Sequence, residues 1–323
     1  MARNSSSPSP PLPSAAIIFS SIAELFGLFA LGWFIRRRGY AGTEDLGKWG
    51  RICTELFYPL LIFHSILTGF DPGRVRQLWI MPALAFGLMA AGMGCGLLLR
   101  FALQRQDPAH RRTFVHCCTI NNFVYLPIFI IQNSPGLPGS ALADFFVFNL
   151  GSTIGFWTLG VLTLGGGAGW RTTVKHLLSP AILSMFAAVA IAWSGTGHYL
   201  PGPLVGACRD AGSIAVPLVL VIIGASLQGS FQRHQTRDLI FFTLLRLIGL
   251  PFIYILLIRA LPLPPDLELL ATIVALMPTS AVSPMMARLY GGDPAFAASA
   301  TLVSHLASLV TVPLAFWWLG HAG

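Results

Sequence analysis

One stretch near the C-terminus, ALMPTSAVSPMMARLYGGDP from Ala275 to Pro294, combines side chains that can bind a ligand with a backbone that cannot stay regular. It lies in an apolar segment long enough to cross a bilayer. Two prolines stand among three hydroxyl side chains there: Pro278, Pro284, Thr279, Ser280 and Ser283. A proline inside a helix removes a backbone hydrogen bond, and a break at membrane depth is tolerated only beside protein or a water-filled cavity. The stretch therefore predicts an interrupted helix at a substrate site; the alternative is a kink in a structural helix, since proline is common in transmembrane helices.

A second interrupted segment is predicted earlier in the chain, where TINNFVYLP carries two adjacent asparagines before a proline. Interrupted helices leave N–H groups with a partial positive charge, which suits an anionic group. Neutral amides and hydroxyls can bind a carboxylate without a permanently buried charge; alternatively, the asparagines serve interhelical hydrogen bonding. The predicted substrate site combines residues of both segments: Asn121, Asn122, Pro127, Pro278, Thr279, Ser280, Ser283 and Pro284.

The composition indicates an integral membrane protein. Of the 323 residues, 54% are hydrophobic and 10% are charged, against about 25% charged in a soluble domain, and the mean hydropathy is +0.71. The net charge of +8 does not indicate a nucleic-acid partner, because the basic residues lie between apolar runs, as orientation signals do. The five cysteines lie in apolar segments without metal-ligand spacing. We therefore expect no metal site, no disulfide and no cofactor.

Ten apolar segments are predicted to be transmembrane helices, by the criterion of about 20 residues each. Their limits are Ala15–Phe34, Leu46–Phe70, Leu78–Leu103, Thr113–Gln132, Ser140–Leu164, Pro180–Ser194, Leu204–Gln228, Leu239–Leu261, Leu267–Tyr290 and Ala295–Leu319. Arginine and lysine cluster in the loops after the odd-numbered spans, which predicts that these loops face the cytoplasm and that both termini lie on the outer side. Residues 1–14, rich in serine and proline, are predicted to form a disordered leader.

A glycine-rich cytoplasmic linker, residues 165–173, divides the spans into two groups of five, within residues 15–164 and 174–323. An odd number of spans per half makes the halves opposite in orientation, as in inverted-repeat transporters. Pro59 in the second span and Pro217 in the seventh support the pairing, because each precedes a branched apolar run and a glycine. The predicted fold class is an all-α integral membrane protein with ten helices in a 5+5 inverted repeat, in which the fourth and ninth helices are broken.

Ionisable residues inside the spans are costly and are functional candidates by default. Arg51 and Glu55 are spaced for an ion pair in the second span, and Glu24 in the first could partner Arg51 or Arg246. His64 could sense a proton gradient. The predicted coupling or gating residues are Glu55, Arg51, His64, Pro59, Pro217 and Asp210. Three couplings stay open: a proton at Glu55 or His64, sodium held by freed carbonyls at the broken helices, or uniport.

Three stretches of the sequence carry motifs of one family: residues 275–313, PLLIFHSI from Pro59 to Ile66, and PLVLVIIGASL from Pro217 to Leu227. The first resembles the ninth and tenth helices of the auxin efflux carrier family, the second resembles its second helix, and the third its seventh helix. This family includes the plant PIN carriers and many bacterial carriers of organic acids. The resemblance implies that helices 4 and 9 cross as in sodium/proton antiporters, that the substrate binds beside the crossover, and that the protein is a homodimer. The chain departs from the plant Asn-Pro-Asn pattern in helix 4, because its asparagines are adjacent.

These features predict a secondary transporter, not an enzyme, that moves small organic anions, auxin-like or dicarboxylic acids among them, across a bacterial inner membrane by alternating access. The expected partners are the anion, the lipid bilayer and a second copy of the chain. The crossover bundle is expected to move against a scaffold that contains spans 1, 2, 6 and 7. The alternatives are a bile-acid-type sodium symporter and a channel or sensor without turnover. Polar residues concentrated at the crossover, rather than along a continuous stripe, favour a transporter over a channel.

Overall fold

A computed structural model describes residues 15–134, 137–166, 178–226 and 235–322. The main helices are α1 (Ala15–Arg37), α2 (Thr43–Gly69), α3 (Pro72–Ala102), α4 (Pro108–Thr119), α5 (Tyr125–Gln132), α6 (Ala141–Thr163), α7 (Pro180–Trp193), α8 (Gly202–Ser226), α9 (Thr236–Arg259), α10 (Pro265–Ala275), α11 (Ser283–Leu289) and α12 (Pro294–Ala322). The described residues form no β-strand. The predicted leader, residues 1–14, and residues 167–173 of the predicted linker lie outside the described ranges.

The helices are those of a multi-pass membrane protein. Within the described ranges, six of them are long and apolar enough to cross a bilayer: α2, α3, α6, α8, α9 and α12. Large apolar side chains cover the outside of the molecule; Leu98, Trp79 and Phe252 are 78%, 68% and 62% exposed. Each predicted span falls on one of these helices or, for the fourth and ninth spans, on two. The inverted relation of the two halves and the orientation of the termini stay predictions.

Pro59 and Pro217, predicted to mark corresponding positions in the two halves, do not end their spans. α2 widens into a π-helical turn over Cys53–Phe57 before it continues through Pro59, and Pro217 lies within α8. A wider turn makes room for the proline ring. The Pro59 carbonyl accepts a hydrogen bond of 2.6 Å from the Ser184 hydroxyl of α7. That bond stabilises the packing of α2 against α7 instead of opening a ligand site.

The helices pack in two groups. In the first group, which we call the four-helix group, α1 packs on α8, and α2 packs on α7 and α8. In the second group, the break group, α3 packs on α4 and α6, α9 packs on α10 and α12, and α11 packs on α12. The groups meet where α2 contacts α6, where α1 contacts α12, and at α5, which contacts α1 and α8 on one side and α6 and α10 on the other. The four-helix group consists of the spans that the sequence predicted as a scaffold.

Glycine brings the backbones of α1 and α8 into direct contact. A Cβ atom at Gly32 would lie 1.9 Å from the Val221 carbonyl oxygen, and one at Gly224 would lie 2.2 Å from the Phe29 carbonyl oxygen. Lipid tails are as apolar as the side chains, so helices in a bilayer associate largely through van der Waals packing at small residues. The contact between α1 and α8 therefore depends on both glycines.

We predict that Gly224→Ala lowers the thermal stability of the purified protein, because the added methyl group separates α1 from α8 at a cost of about 1–3 kcal/mol. Gly27→Ala is the matched control in α1, since no atom lies within 4 Å of a Cβ built there. Differential scanning fluorimetry of both variants checks the expectation. Equal midpoints of unfolding for Gly224→Ala and Gly27→Ala would show that the close approach contributes nothing.

Candidate functional site

The two interrupted segments meet in the middle of the bundle. The first interruption, residues 120–124, separates α4 from α5, and the second, residues 276–282, separates α10 from α11. Asn121 and Thr279 pair as an isolated antiparallel β-bridge between them. We call residues 120–124 and 276–282 together the paired break. Both interruptions fall where the prolines and small polar residues predicted them.

Main-chain hydrogen bonds join the two segments of the paired break. The Asn122 N–H donates to the Pro278 carbonyl at 2.8 Å, and the Ser280 N–H donates to the Ile120 carbonyl at 3.2 Å. Lipid has no donor or acceptor for such groups, and each unsatisfied one costs several kcal/mol. The two extended segments therefore satisfy each other, which neither could do alone in the bilayer.

Side chains of the paired break satisfy further carbonyls. The Thr279 hydroxyl lies 3.0 Å from the carbonyl oxygens of both Cys117 and Ile120. The Asn121 amide donates to the Val274 carbonyl at 2.8 Å. Cys117 lies in the last turn of α4 and Val274 in the last turn of α10, where carbonyls lack the regular i+4 donor of a continuing helix. Asn121 and Thr279 thus cap the helices that end at the break.

The other predicted substrate ligands also lie at the paired break. The Asn122 amide lies 3.4 Å from Nε2 of His305, and the Ser280 carbonyl accepts a 3.3 Å hydrogen bond from the Thr301 hydroxyl. The Ser283 hydroxyl is buried without a hydrogen-bond partner. The three predicted prolines flank these residues, with Pro278 in the break, Pro127 in α5 and Pro284 in α11. The structure brings the predicted residues together, and their role as substrate ligands stays a prediction.

We predict that Thr279→Val destabilises the protein by about 1–3 kcal/mol, because the isosteric valine leaves buried carbonyls without their donor. Thr68→Val is the matched control, since the Thr68 hydroxyl donates to the His64 carbonyl on the exposed side of α2. Chemical or thermal unfolding in detergent measures the difference. A Thr279→Val variant as stable as Thr68→Val would mean that the hydroxyl does not hold the break.

Arg246 of α9 lies against the paired break and is completely buried. Its Nε and Nη2 donate to the Met277 carbonyl at 3.1 and 2.8 Å, and its Nη1 donates to the Cys118 carbonyl at 3.2 Å. The guanidinium lies 5.9 Å from the centre of the Tyr254 ring. Glu24, which the sequence suggested as a partner, is exposed on α1. Arg246 instead binds the carbonyl ends of both interrupted helices, a role that the sequence analysis missed.

A cavity of about 220 Å³ lies beside the paired break, between the four-helix group and the break group. α2 and the N-terminal part of α7 form one wall, and α5 and α6 form the other. The lining residues are Thr54, Tyr58, Ile62, Val124, Tyr125, Phe146, Asn149, Leu150, Thr153, Ser179, Ala181, Ile182 and Met185. None of these described lining residues carries a charge, and the eight predicted substrate residues are not among them. The cavity reaches the paired break at Val124 and continues along Tyr125, the first residue of α5.

The polar centre of the cavity is Asn149 of α6. Its Nδ2 donates to the Tyr58 hydroxyl at 3.3 Å, while its Oδ1 is buried without a partner. The Tyr58 ring lies 5.8 Å from the Tyr125 ring and 6.0 Å from the Phe146 ring, between centroids. The sequence analysis missed this cluster, although Asn149 stands as a lone amide in an apolar span, which is a signal for a functional residue.

None of the predicted coupling residues lines the cavity. Arg51 and Glu55 form the predicted i,i+4 ion pair at 3.0 Å, but their side chains are 76% and 54% exposed on α2. Asp210 pairs with its neighbour Arg209 at 2.9 Å, and both are exposed. His64 is half-buried in α2. Their contribution to coupling stays a prediction.

A buried ionic cluster joins the beginnings of α4, α9 and α12. Nε2 of His110 lies 3.2 Å from Asp238, and Nδ1 of the same ring lies 3.1 Å from Asp293. Asp238 also accepts hydrogen bonds from the Gln104 and Arg105 amides at 2.7 and 3.0 Å. Both ring nitrogens of His110 therefore face a carboxylate oxygen, each from the beginning of a different helix. The cluster fixes three helices of the break group to one another.

Asp293 gives this cluster a defined pH dependence. Burial opposes ionisation of the carboxyl, but hydrogen bonds from His110 and from the Phe296 amide outweigh it and hold the pKa of Asp293 below its ordinary value. A carboxyl whose pKa is depressed in the folded state adds stability above its unfolded pKa, near about 4. That stability is lost as the pH falls through the lower pKa that the carboxyl has in the folded state.

We predict that Asp293→Asn lowers stability at pH 7 by about 1.5–3 kcal/mol, the range for a hydrogen bond to a charged group, and flattens the loss of stability below about pH 4. Asparagine can still cap α12, so the change reports the loss of the carboxylate charge that His110, Arg105 and Gln235 face. The matched control is Asp210→Asn, an exposed carboxyl. Unfolding midpoints from pH 3 to 8 provide the test, and parallel pH curves for Asp293→Asn and wild type would contradict it.

The apolar helices, the paired break and the adjoining cavity define a membrane protein built around a polar centre. Residues 17–137 and 170–316 match the profile of the family described as membrane transport protein. The chain belongs to this family, the auxin efflux carrier family that includes the plant PIN carriers. It is similar to an uncharacterized transporter of Methanothermobacter thermautotrophicus, with 24% identity over 306 residues that cover 91% of this chain and 96% of that protein. The protein is thus a membrane transporter and not an enzyme, as the sequence predicted.

Proposed function

We propose that the protein is a secondary transporter of small organic anions, carboxylates in particular, and that the substrate binds in the cavity beside the paired break. One observation carries the proposal. The N-terminal end of α5, at Val124 and Tyr125, faces the same cavity as Asn149, which is buried with an unpartnered amide oxygen. The first turn of a helix has N–H groups without intrahelical partners and a partial positive charge. That end of α5 suits a carboxylate.

Asn149 can complete the anion site by rotating its amide. After a half-turn about the last side-chain bond, its oxygen accepts from the Tyr58 hydroxyl and its NH₂ group takes the place of the unpartnered oxygen. The NH₂ group then donates to a carboxylate held at the end of α5. The absence of acidic groups among the described lining residues removes a source of repulsion.

The remaining walls favour a compact substrate with an apolar body. Ile62, Phe146 and Met185 line the cavity beside the two tyrosines. Ligand pockets for drug-sized molecules span about 300–1,000 Å³, whereas this cavity has about 220 Å³. The size supports small carboxylic acids, with an aromatic or short aliphatic body, over bile acids and other sterol-sized anions.

The position of the cavity supports alternating access. Ion pairs and charged hydrogen bonds join the break group internally, at His110 and at Arg246, so that group can move as one body. Tyr58 and Asn149 face each other across the boundary with a longer bond of 3.3 Å. In the proposed cycle the break group moves against the four-helix group and exposes the cavity to each side in turn. The cavity includes Ser179, at the end of α7 that we assign to the cytoplasm of a bacterial inner membrane.

The proposed architecture includes the ten-helix 5+5 inverted repeat, with the fourth and ninth spans crossing at the paired break. The pairing of Asn121 with Thr279 supports it, because inverted-repeat transporters carry their sites at discontinuous helices. A homodimer is part of the same proposal. The four-helix group would then hold a fixed position while the break group moves.

The proposal predicts that a small carboxylic acid raises the unfolding temperature of the purified protein, because a ligand that binds the native state stabilises it. A screen of aromatic acids, dicarboxylic acids and the matching uncharged amides identifies the class. Asn149→Ala is expected to weaken binding about tenfold or more, the effect of one lost hydrogen bond to a charged group. Tyr58→Phe is expected to weaken it less, because the Tyr58 hydroxyl bonds Asn149 and not the carboxylate.

The matched control for Asn149→Ala is Asn133→Ala, since Asn133 is exposed and bonds only its own helix at the Phe129 carbonyl. Binding constants come from isothermal titration in nanodiscs. If the amides stabilise the protein as well as the acids do, the anion assignment is wrong. If Asn149→Ala binds the acid as tightly as Asn133→Ala does, the substrate lies elsewhere.

A further inference from the structure

We infer that Arg246 is the resident cation of this transporter: its guanidinium occupies the position between two helix C-termini where a coupling sodium ion would bind, so the site needs no sodium. The inference rests on the transporter assignment. It argues against one of the three open couplings, the one in which freed carbonyls at the broken helices hold sodium. It concerns residues that the proposed substrate cavity does not contain.

The argument begins with the carbonyls that the paired break leaves in the bilayer. The C-terminal end of a helix carries a partial charge of about −0.5. Cys118 lies in the last turn of α4, and Met277 follows α10, so their carbonyls converge from two such ends. In transporters with discontinuous helices, half-helix C-terminal ends and unwound carbonyls are the groups that coordinate sodium. The break therefore contains the ligands of a cation site.

A protein group already binds these carbonyls. The guanidinium donates two hydrogen bonds to Met277 and one to Cys118, at 2.8 to 3.2 Å. Within the part of the chain that the structure describes, no carboxylate forms an ion pair with Arg246. Arginine stays protonated in proteins, so the carbonyl dipoles of α4 and α10 are what neutralise its charge. A sodium ion at the same oxygens would meet a fixed positive charge.

The surroundings of Arg246 leave little room for a second cation. Tyr254 lies against the guanidinium with its ring centre 5.9 Å away. The Thr279 hydroxyl, a further oxygen of the break, is already engaged with the Cys117 and Ile120 carbonyls. Arg246 itself is fully buried. Removing its side chain would leave a solvent-sized void lined by carbonyl oxygens, which is the composition of a site for a small cation.

The test uses the purified protein in nanodiscs and needs no substrate. Wild type is expected to unfold at the same temperature in sodium, potassium and choline chloride at equal ionic strength. Arg246→Ala is expected to unfold several degrees lower in choline chloride and to regain about half of that loss with millimolar methylguanidinium or with sodium. Arg76→Ala, a change of an exposed arginine, controls for loss of charge and should respond to none of these ions.

Two results would overturn the inference. One is a rise in the unfolding temperature of wild type with sodium but not with choline. The other is an Arg246→Ala variant that is folded and responds equally to sodium, methylguanidinium and choline. If Arg246→Ala does not fold, Arg246→Lys decides: its ammonium should keep the protein folded and indifferent to sodium, and a sodium response there would contradict the inference. Failure of carboxylic acids to bind would disprove the proposed function and leave these results unaffected.

Discussion

Main-chain groups exposed inside a bilayer must find partners within the protein, and this constraint governs the centre of the molecule. Two helices stop there, α4 at Thr119 and α10 at Ala275, and their ends would cost several kcal/mol for each unsatisfied group in lipid. The segments solve the problem jointly. Asn121 pairs with Thr279 across the break, and Arg246 binds the carbonyls of Cys118 and Met277. The acceptor ends of the broken helices are thereby neutralised, whereas the donor end of α5 still faces the cavity.

This difference between the carbonyl ends and the N–H end of the broken helices relates the packing to the proposed transport. If the N–H and the carbonyl ends of the broken helices all had hydrogen-bond partners, the break would be a structural kink. If neither kind of end had partners, the break would not persist in lipid. Here the carbonyl ends are covered by a buried cation, while the N–H groups in the first turn of α5 remain at the cavity, and the proposed anion site rests on this difference. The charged contacts of His110 and Arg246 lie within the break group. The boundary towards the four-helix group is largely apolar, which suits two bodies that slide past each other.

The sequence predicted the elements of this arrangement better than its contacts. Pro278 and Pro284 stand close together among hydroxyl side chains in one apolar span, and that combination located the second break. A single proline is not enough, because α2 continues through Pro59 and α8 contains Pro217. Contacts between distant elements follow no local rule. Arg246 has no acidic neighbour one turn away, and its partners are carbonyls that carry no sequence signal. Asn149 joins a site only because α6 faces α2, and Arg51 and Glu55 have the spacing of a pair but lie on the exposed side of their helix.

The most direct measurement is an electron cryomicroscopy map of the protein in lipid nanodiscs, at a resolution that separates carbonyl oxygens from side chains. The account predicts that the chain leaves helical geometry at residues 120–124 and 276–282 and that the density of the Arg246 guanidinium contacts the carbonyls of Cys118 and Met277. Two uninterrupted helices through these residues, with Arg246 directed at a carboxylate or at lipid head groups, would contradict it.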